Sequence, residues 1–304
     1  MDKLKFFRHV NFSTGEIVRV RQFVRDNGTT MLLPYDQFIE HDCRHLEAES
    51  DSGNPYYICE LAQEAGFKGI VFHYGLSMRY WSRIEGELPV IVKINGKTSI
   101  PSDDEALSVH TSFVEDAVRI GASGIGYTLY YGSPRQDADL PQLAAVRREC
   151  ERFGMPLIIW AYPRGSAINA KGGRNSSYAL ESAARLAAEM GATIIKSNLP
   201  KDAPDLVKND KVPEYYRQVE AELLEVSDKS ERDYLRAKRV VQAAQGVPLL
   251  FSGGSDKSEQ DVLHNARACV KAGCFGFIIG RNMWKRKMED AKRIANVIEQ
   301  ALDE

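Results

Sequence analysis

The chain has 304 residues, 40 basic against 42 acidic, and a formal net charge of −2. With 43% hydrophobic and 27% charged residues, its composition is that of an ordinary globular protein and excludes a disordered or fibrous chain. No bulk positive field exists to hold nucleic acid, and no basic amphipathic stretch stands out as a membrane anchor.

The first residues, MDKLKFFRHVNF, lack the apolar core of a signal peptide, and no apolar run approaches the roughly 18 residues of a membrane span. Five cysteines, Cys43, Cys59, Cys150, Cys269 and Cys274, are scattered with no CxxC pair. Reduced thiols and a cytoplasmic location are expected.

In chain order, segment 1–28 is polar with scattered aromatic residues and reads as a cap or arm. Then come eight short apolar runs: 29–36, 69–75, 88–96, 123–132, 155–163, 191–200, 247–254 and 275–282. Most read as doubly buried strands, rich in Val and Ile and closed by Gly, Pro or Asn. Helical patterns fill most of the gaps, at 54–67, 108–122, 139–155, 177–192, 258–274 and 288–302. In the second of these, Val109, Phe113, Ala117 and Ile120 fall at helical spacing. Strand, helix and Gly recur with a regularity that predicts parallel strands, and eight units fit a closed (β/α)₈ barrel over 29–304. Segment 200–232, dense in Lys, Asp and Glu, reads as a long loop after strand six, with some helix of its own, and as a candidate lid or partner surface.

Barrels of this kind carry their chemistry at the C-terminal ends of the strands. Those ends supply Asp36, His73, Lys93, Tyr127, Trp160, Tyr162, Lys196, Ser252, Gly253, Gly254, Gly280 and Arg281. Lys196 ends the apolar run TIIK. A lysine without hydration loses its proton more readily and becomes a nucleophile toward ketones. The alternative is a lysine paired with a rim carboxylate. Trp160 and Tyr162 share one face of their strand, either walling a site or packing the barrel. Asp36 could orient a substrate hydroxyl or act as a base; it could equally be a turn residue or a helix N-cap.

Ser252-Gly253-Gly254 and Gly280-Arg281 end adjacent strands. Glycines let backbone N–H groups approach an anion, and Arg281 adds a forked cation, so this corner is a candidate phosphate site. His41, Cys43 and His45 crowd together in EHDCRH, but the pattern lacks the spacing of a zinc site, and no metal is expected. No GxGxxG follows the first strand and there is no Walker loop, so no nucleotide cofactor is expected either.

The segments MLLPYDQFIEH, VIVKINGKTSIP, LIIWAYPRG, TIIKSNLP, LLFSGG and FIIGRN occur in this order. Together they resemble the archaeal-type class I fructose-bisphosphate aldolases, over roughly residues 30–300. The resemblance implies a (β/α)₈ barrel that makes or breaks a carbon–carbon bond through a lysine Schiff base, with no metal and no cofactor. It assigns the Schiff base to Lys196, proton transfer to Tyr162, the neighbouring wall to Trp160 and the acidic residue ending strand one to Asp36. Ser252, Gly253, Gly254, Gly280 and Arg281 match the phosphate-binding positions, and Lys93 is a further candidate for substrate binding. Phe38 departs from the pattern, standing where the family usually has Gly. Two relatives of the same group, a transaldolase-type aminodideoxy-heptulosonate synthase and a phospho-dione thiolase, resemble these aldolases in the lysine and the phosphate corner and are the nearest alternatives; NGKTSIP favours the fructose-bisphosphate members. A barrel that binds a sugar phosphate without catalysis would need the phosphate corner but not Lys196. A homo-oligomer is expected.

Overall fold

A computed structural model of the chain describes residues 3–36, 38–39, 43, 50–80, 88–253 and 258–304. Each apolar run contains a strand: β1 (Thr30–Pro34), β2 (Gly69–His73), β3 (Val90–Lys93), β4 (Gly124–Tyr131), β5 (Leu157–Pro163), β6 (Ile194–Ser197), β7 (Leu249–Ser252) and β8 (Gly276–Ile278). All pair in parallel with their neighbours in chain order, and β8 returns to β1. The result is a closed (β/α)₈ barrel with helices around it.

Register fixes which residues point inward, because partners across a parallel pair face the same way. Leu32 pairs with Gly69 and with Ile278, Val71 with Ile91, Ile158 with Ile194, and Lys196 with both Trp160 and Leu250. Low in the barrel the inward side chains are apolar: Leu32, Val71, Ile91, Ile158, Ile194 and Leu250 form one buried cluster. Phe7, Val20 and Phe23 of the N-terminal arm join that cluster. The Phe7 ring meets Phe275, just before β8, edge-on at 4.9 Å. The arm therefore closes the N-terminal end of the barrel. A second, larger cluster lies between the outward strand faces and the helices.

Local chemistry sets the helix ends. Asn54 accepts from the Tyr56 N–H ahead of Pro55, Ser176 from the Ala179 N–H and Ser258 from the Asp261 N–H, which satisfies donors the helix leaves open. Gly154 ends the helix Gln136–Phe153 in the left-handed region, at φ 62°, where glycine is favoured.

Two expected helices start elsewhere. The one expected over 108–122 spans Val114–Arg119. Val109–His110 instead forms a short antiparallel ladder with Asn95–Gly96, and the Phe113 N–H donates to the Asp116 carboxylate at 3.0 Å, which sets the helix start. Val109 and Phe113 are accordingly exposed, while Val114 and Ala117 are buried. The helix expected from 139 starts at Gln136. Asp139 lies inside it, because its buried carboxylate is needed to accept from the Tyr127 hydroxyl at 2.6 Å and the Tyr130 N–H at 3.0 Å.

Segment 200–232 holds the helices Pro204–Val207 and Glu214–Glu225 and the first residues of Lys229–Ala243. It is tied to the barrel wall. The fully buried Arg236 makes two hydrogen bonds to Glu220, at 2.7 and 2.8 Å, and one to Ser177. Glu220 also accepts from the Ala203 N–H at 2.8 Å, and Asp202 pairs with Arg232 and Arg236. A buried carboxylate left without its guanidinium would be costly, so this network holds the start of the loop against the helices rather than leaving it open.

Among the described residues no helix is long and apolar enough to cross a membrane.

Candidate active site

Above the apolar layer the barrel interior turns polar. Lys196 on β6 is only 4% exposed. Its Nζ lies 4.7 Å from the centroid of the Trp160 ring and 5.5 Å from that of Tyr162. Trp160 and Tyr162 are successive inward residues of β5, and Lys196 pairs with Trp160 in register. The aromatic pair thus forms the wall next to the amine. Trp160 is buried, and its indole N–H meets no acceptor among the described residues. Gly126 makes room for the indole: a Cβ there would stand 2.8 Å from two of its ring carbons and 3.1 Å from Lys93 Cδ.

Lys93, inward on β3, is fully buried. Its Nζ donates to the Asn95 carbonyl at 2.9 Å and lies 5.6 Å from the Trp160 centroid. The two lysines therefore flank one indole, which places their nitrogens within about 10 Å of each other. A cation beside an aromatic face is stabilised by about 0.5–2 kcal/mol. Asn95 fixes this floor by donating to Ser108 and Thr128 carbonyls and accepting the Thr128 N–H at 2.8 Å.

Asp36 lies two residues beyond β1 and is 5% exposed. The Tyr35 N–H still donates to the Val71 carbonyl at 2.8 Å, so the chain remains extended up to Asp36. Phe38 stacks edge-on against Tyr35 at 4.9 Å and lies 5.5 Å from Trp284. The position where Gly was expected is filled by an aromatic cluster behind the strand end.

At the corner where β7 and β8 end, the candidate phosphate site, the Ser252 hydroxyl donates to Asn198 Oδ1, which joins the ends of β6 and β7. The Gly253 carbonyl accepts from Asn282 Nδ2 at 3.0 Å, and a Cβ on Gly253 would collide with Ile279 at 2.6 Å. Gly280 precedes the short helix Arg281–Trp284, and its carbonyl accepts the Met283 and Trp284 N–H groups. The Arg281 guanidinium sits close enough to Arg174 to help lower that side chain's pKa, after the larger effects of Arg164 and burial. Gly254 lies outside the described residues.

One strand-end residue proves to have other work. Tyr127 faces outward, where its hydroxyl donates to Asp139 and accepts from Gln142. Burial first, then the Asp139 charge, push its pKa far up, and it has no place in the site. His73 points inward beside Lys93 in register, with Thr111 Oγ1 3.5 Å from its Nδ1. His41 and His45 lie outside the described residues, and Cys43 is exposed. Among the described residues no three His, Cys, Asp or Glu side chains converge as metal ligands.

Sequence reading missed three neighbours. Asn198 follows Lys196, and Arg164 follows Tyr162, each by two residues, so the same period that singled out the first of each pair reaches the second. The Arg164 guanidinium lies 5.4 Å from the Tyr162 ring centroid and 5.7 Å from that of Tyr130. Asn282, deeply buried behind Gly253, has no local signal in the sequence.

The DeoC/LacD family aldolase pattern matches residues 30–286. A class 1 fructose-bisphosphate aldolase of Thermoproteus tenax is 34% identical over 281 residues, 92% of this chain and 91% of that one. A fructose-bisphosphate aldolase/6-deoxy-5-ketofructose 1-phosphate synthase of Methanocaldococcus jannaschii is 28% identical over 288 residues, 91% and 82% of the two chains. Among solved structures, an archaeal fructose-1,6-bisphosphate aldolase has its catalytic Lys covalently bound to the carbinolamine intermediate of the substrate. It superposes with a TM-score of 0.77 at 31% identity, covering 95% of this chain and 99% of that one.

Proposed function

Because the chain belongs to the DeoC/LacD family of aldolases, we propose that it is a class I aldolase working through an imine on Lys196. It splits fructose 1,6-bisphosphate reversibly into dihydroxyacetone phosphate and glyceraldehyde 3-phosphate. One observation carries this reading: a lysine sits almost fully buried above an apolar barrel floor, against the rings of Trp160 and Tyr162. An amine held away from water gives up its proton more readily and attacks a ketone.

The Lys196 amine adds to C2 of the ketose, and loss of water leaves a protonated imine. That imine is the electron sink, so the cycle draws on no metal. A base, either Tyr162 or a water beside Asp36, takes the proton from the C4 hydroxyl. The C3–C4 bond breaks, its electrons pass into the imine to form an enamine, and glyceraldehyde 3-phosphate leaves. Tyr162 returns a proton to C3, and water hydrolyses the imine to free dihydroxyacetone phosphate. Ser252, Gly253, Gly254, Gly280 and Arg281 hold the phosphate next to C1, one strand along from Lys196. Arg164, against the Tyr162 ring, faces the other half of the sugar. Lys93 adds positive charge under the site.

The test is to incubate the purified chain with fructose 1,6-bisphosphate, follow triose phosphate release, and quench a parallel sample with borohydride. Release together with a reduced adduct in the Lys196 peptide supports the reading. Absence of release, or an adduct on Lys93 alone, rejects it.

A further inference from the structure

At the mouth of the barrel, just beyond the end of β5, one carboxylate sits among several cations. Asp103 Oδ1 lies 3.1 Å from Lys97 Nζ, while its Oδ2 lies 3.5 Å from Arg164 Nε and 3.7 Å from Arg174 Nη1. Lys97 is committed to this loop: its ammonium also donates to the Thr98 and Pro101 carbonyls at 3.0 and 2.7 Å. The loop is pinned beside Arg164, since the Ala106 carbonyl accepts from the Ser133 hydroxyl and the Asp104 carbonyl packs on Gly165, 3.3 Å from where a Cβ would stand.

Both arginines, by contrast, are only partly engaged. Arg164 donates to its own neighbour's carbonyl, that of Pro163, and the Arg174 side chain is 54% exposed. Arg174 has its pKa lowered by Arg164 first, then by burial, and further by Arg281, with Asp103 opposing. Burial works against the Asp103 charge, but the Lys97 hydrogen bond and the charges of Arg164, Lys97 and Arg174 outweigh it and keep this carboxyl below the usual range. The cluster is thus a patch of surplus positive charge, held together by a half-exposed anion supplied by the chain. Arg164 links it to the Tyr162 ring.

We propose that Asp103 is a built-in competitor for substrate phosphate. It occupies the anion pocket of Arg164 and Arg174 until the phosphate at the far end of a bisphosphorylated ketose displaces it. The proposal rests on the aldolase reading and adds to it a residue that sets the threshold for bisphosphate over monophosphate. A dianionic phosphate takes both arginines with charge-assisted hydrogen bonds and pushes the carboxylate out toward solvent. A weaker anion gains too little to do so.

The experiment compares the wild-type chain with Asp103→Asn and Asp103→Glu, using fructose 1,6-bisphosphate, fructose 1-phosphate and inorganic phosphate as the probe anion. Removing one competing charge lowers KM for the bisphosphate by about 3–10-fold, the size of a modest charge interaction near the surface. It leaves KM for the 1-phosphate unchanged, and inorganic phosphate inhibits Asp103→Asn at correspondingly lower concentration. Asp103→Glu keeps the wild-type values. An unchanged or raised KM for the bisphosphate in Asp103→Asn would overturn the proposal, by showing that the carboxylate orders the arginines rather than competing for them. If the wild type cleaves neither ketose, the aldolase reading itself has failed. Calorimetric titration with inorganic phosphate then judges Asp103 alone: tighter binding by Asp103→Asn upholds it, and equal or weaker binding rejects it.

Discussion

Lys196 and Trp160 pair in register on adjacent strands, and the lysine nitrogen lies 4.7 Å from the centroid of the indole. The contact places the Lys196 amine against a rigid apolar plate where little water reaches it. In the proposed cycle the same indole face would stabilise the iminium on that nitrogen.

Replacing Lys196 by Met keeps the stem and removes the amine. Turnover of fructose 1,6-bisphosphate and borohydride-dependent labelling with dihydroxyacetone phosphate should both vanish, while circular dichroism stays that of the parent. Residual labelling in this variant would move the imine to Lys93.

Tyr162→Phe preserves the ring that faces Lys196 and Arg164 and removes only the hydroxyl. The imine should still form and be trapped. Turnover should fall by about 10²–10⁴-fold, the usual contribution of a positioned acid or base. Near-normal turnover would return Tyr162 to a packing role.

Arg281→Ala should weaken phosphorylated substrates by roughly 10–150-fold, from a charge-assisted pair worth about 1.5–3 kcal/mol. The KM for unphosphorylated dihydroxyacetone, measured in the condensation direction, should change much less. An equal loss for both would make Arg281 a rim residue with no part in anion binding.

The thiols offer a test of the fold itself. Four cysteines are buried and Cys43 is exposed. Burial pushes Cys59 up to about 11 and Cys274 up to about 12, and a raised thiol pKa means the unreactive protonated form at mildly alkaline pH. At mildly alkaline pH a disulfide dye should reach the exposed Cys43 first and titrate one thiol per chain quickly. The remaining four should react only after denaturation. Rapid reaction of more than one would show that the helix layer opens.

The barrel was legible because most of its strands are short runs rich in Val, Ile and Leu, each followed by a helical stretch. Lys196, Trp160 and Tyr162 were legible for a related reason, since a charge or a large polar ring in an apolar run has few places to go. Val109 and Phe113 misled because a helical period records spacing alone. It does not show that His110 is held in a ladder with Asn95, or that Asp116 accepts the Phe113 N–H. Tyr127 misled because position at a strand end does not say which face is turned inward; register does. Asp103, Arg174 and Asn282 act through contacts between distant segments, and nothing next to them in the chain announces those partners.

The arm that carries Phe7 and Phe23 lies against an end of the barrel that Leu32, Val71, Ile91, Ile158, Ile194 and Leu250 already fill. A barrel of this kind is packed rather than hollow, so the arm adds apolar burial beneath the floor instead of stopping a channel. Trimming it would cost stability and leave the approach to Lys196 where it is, over the opposite rim.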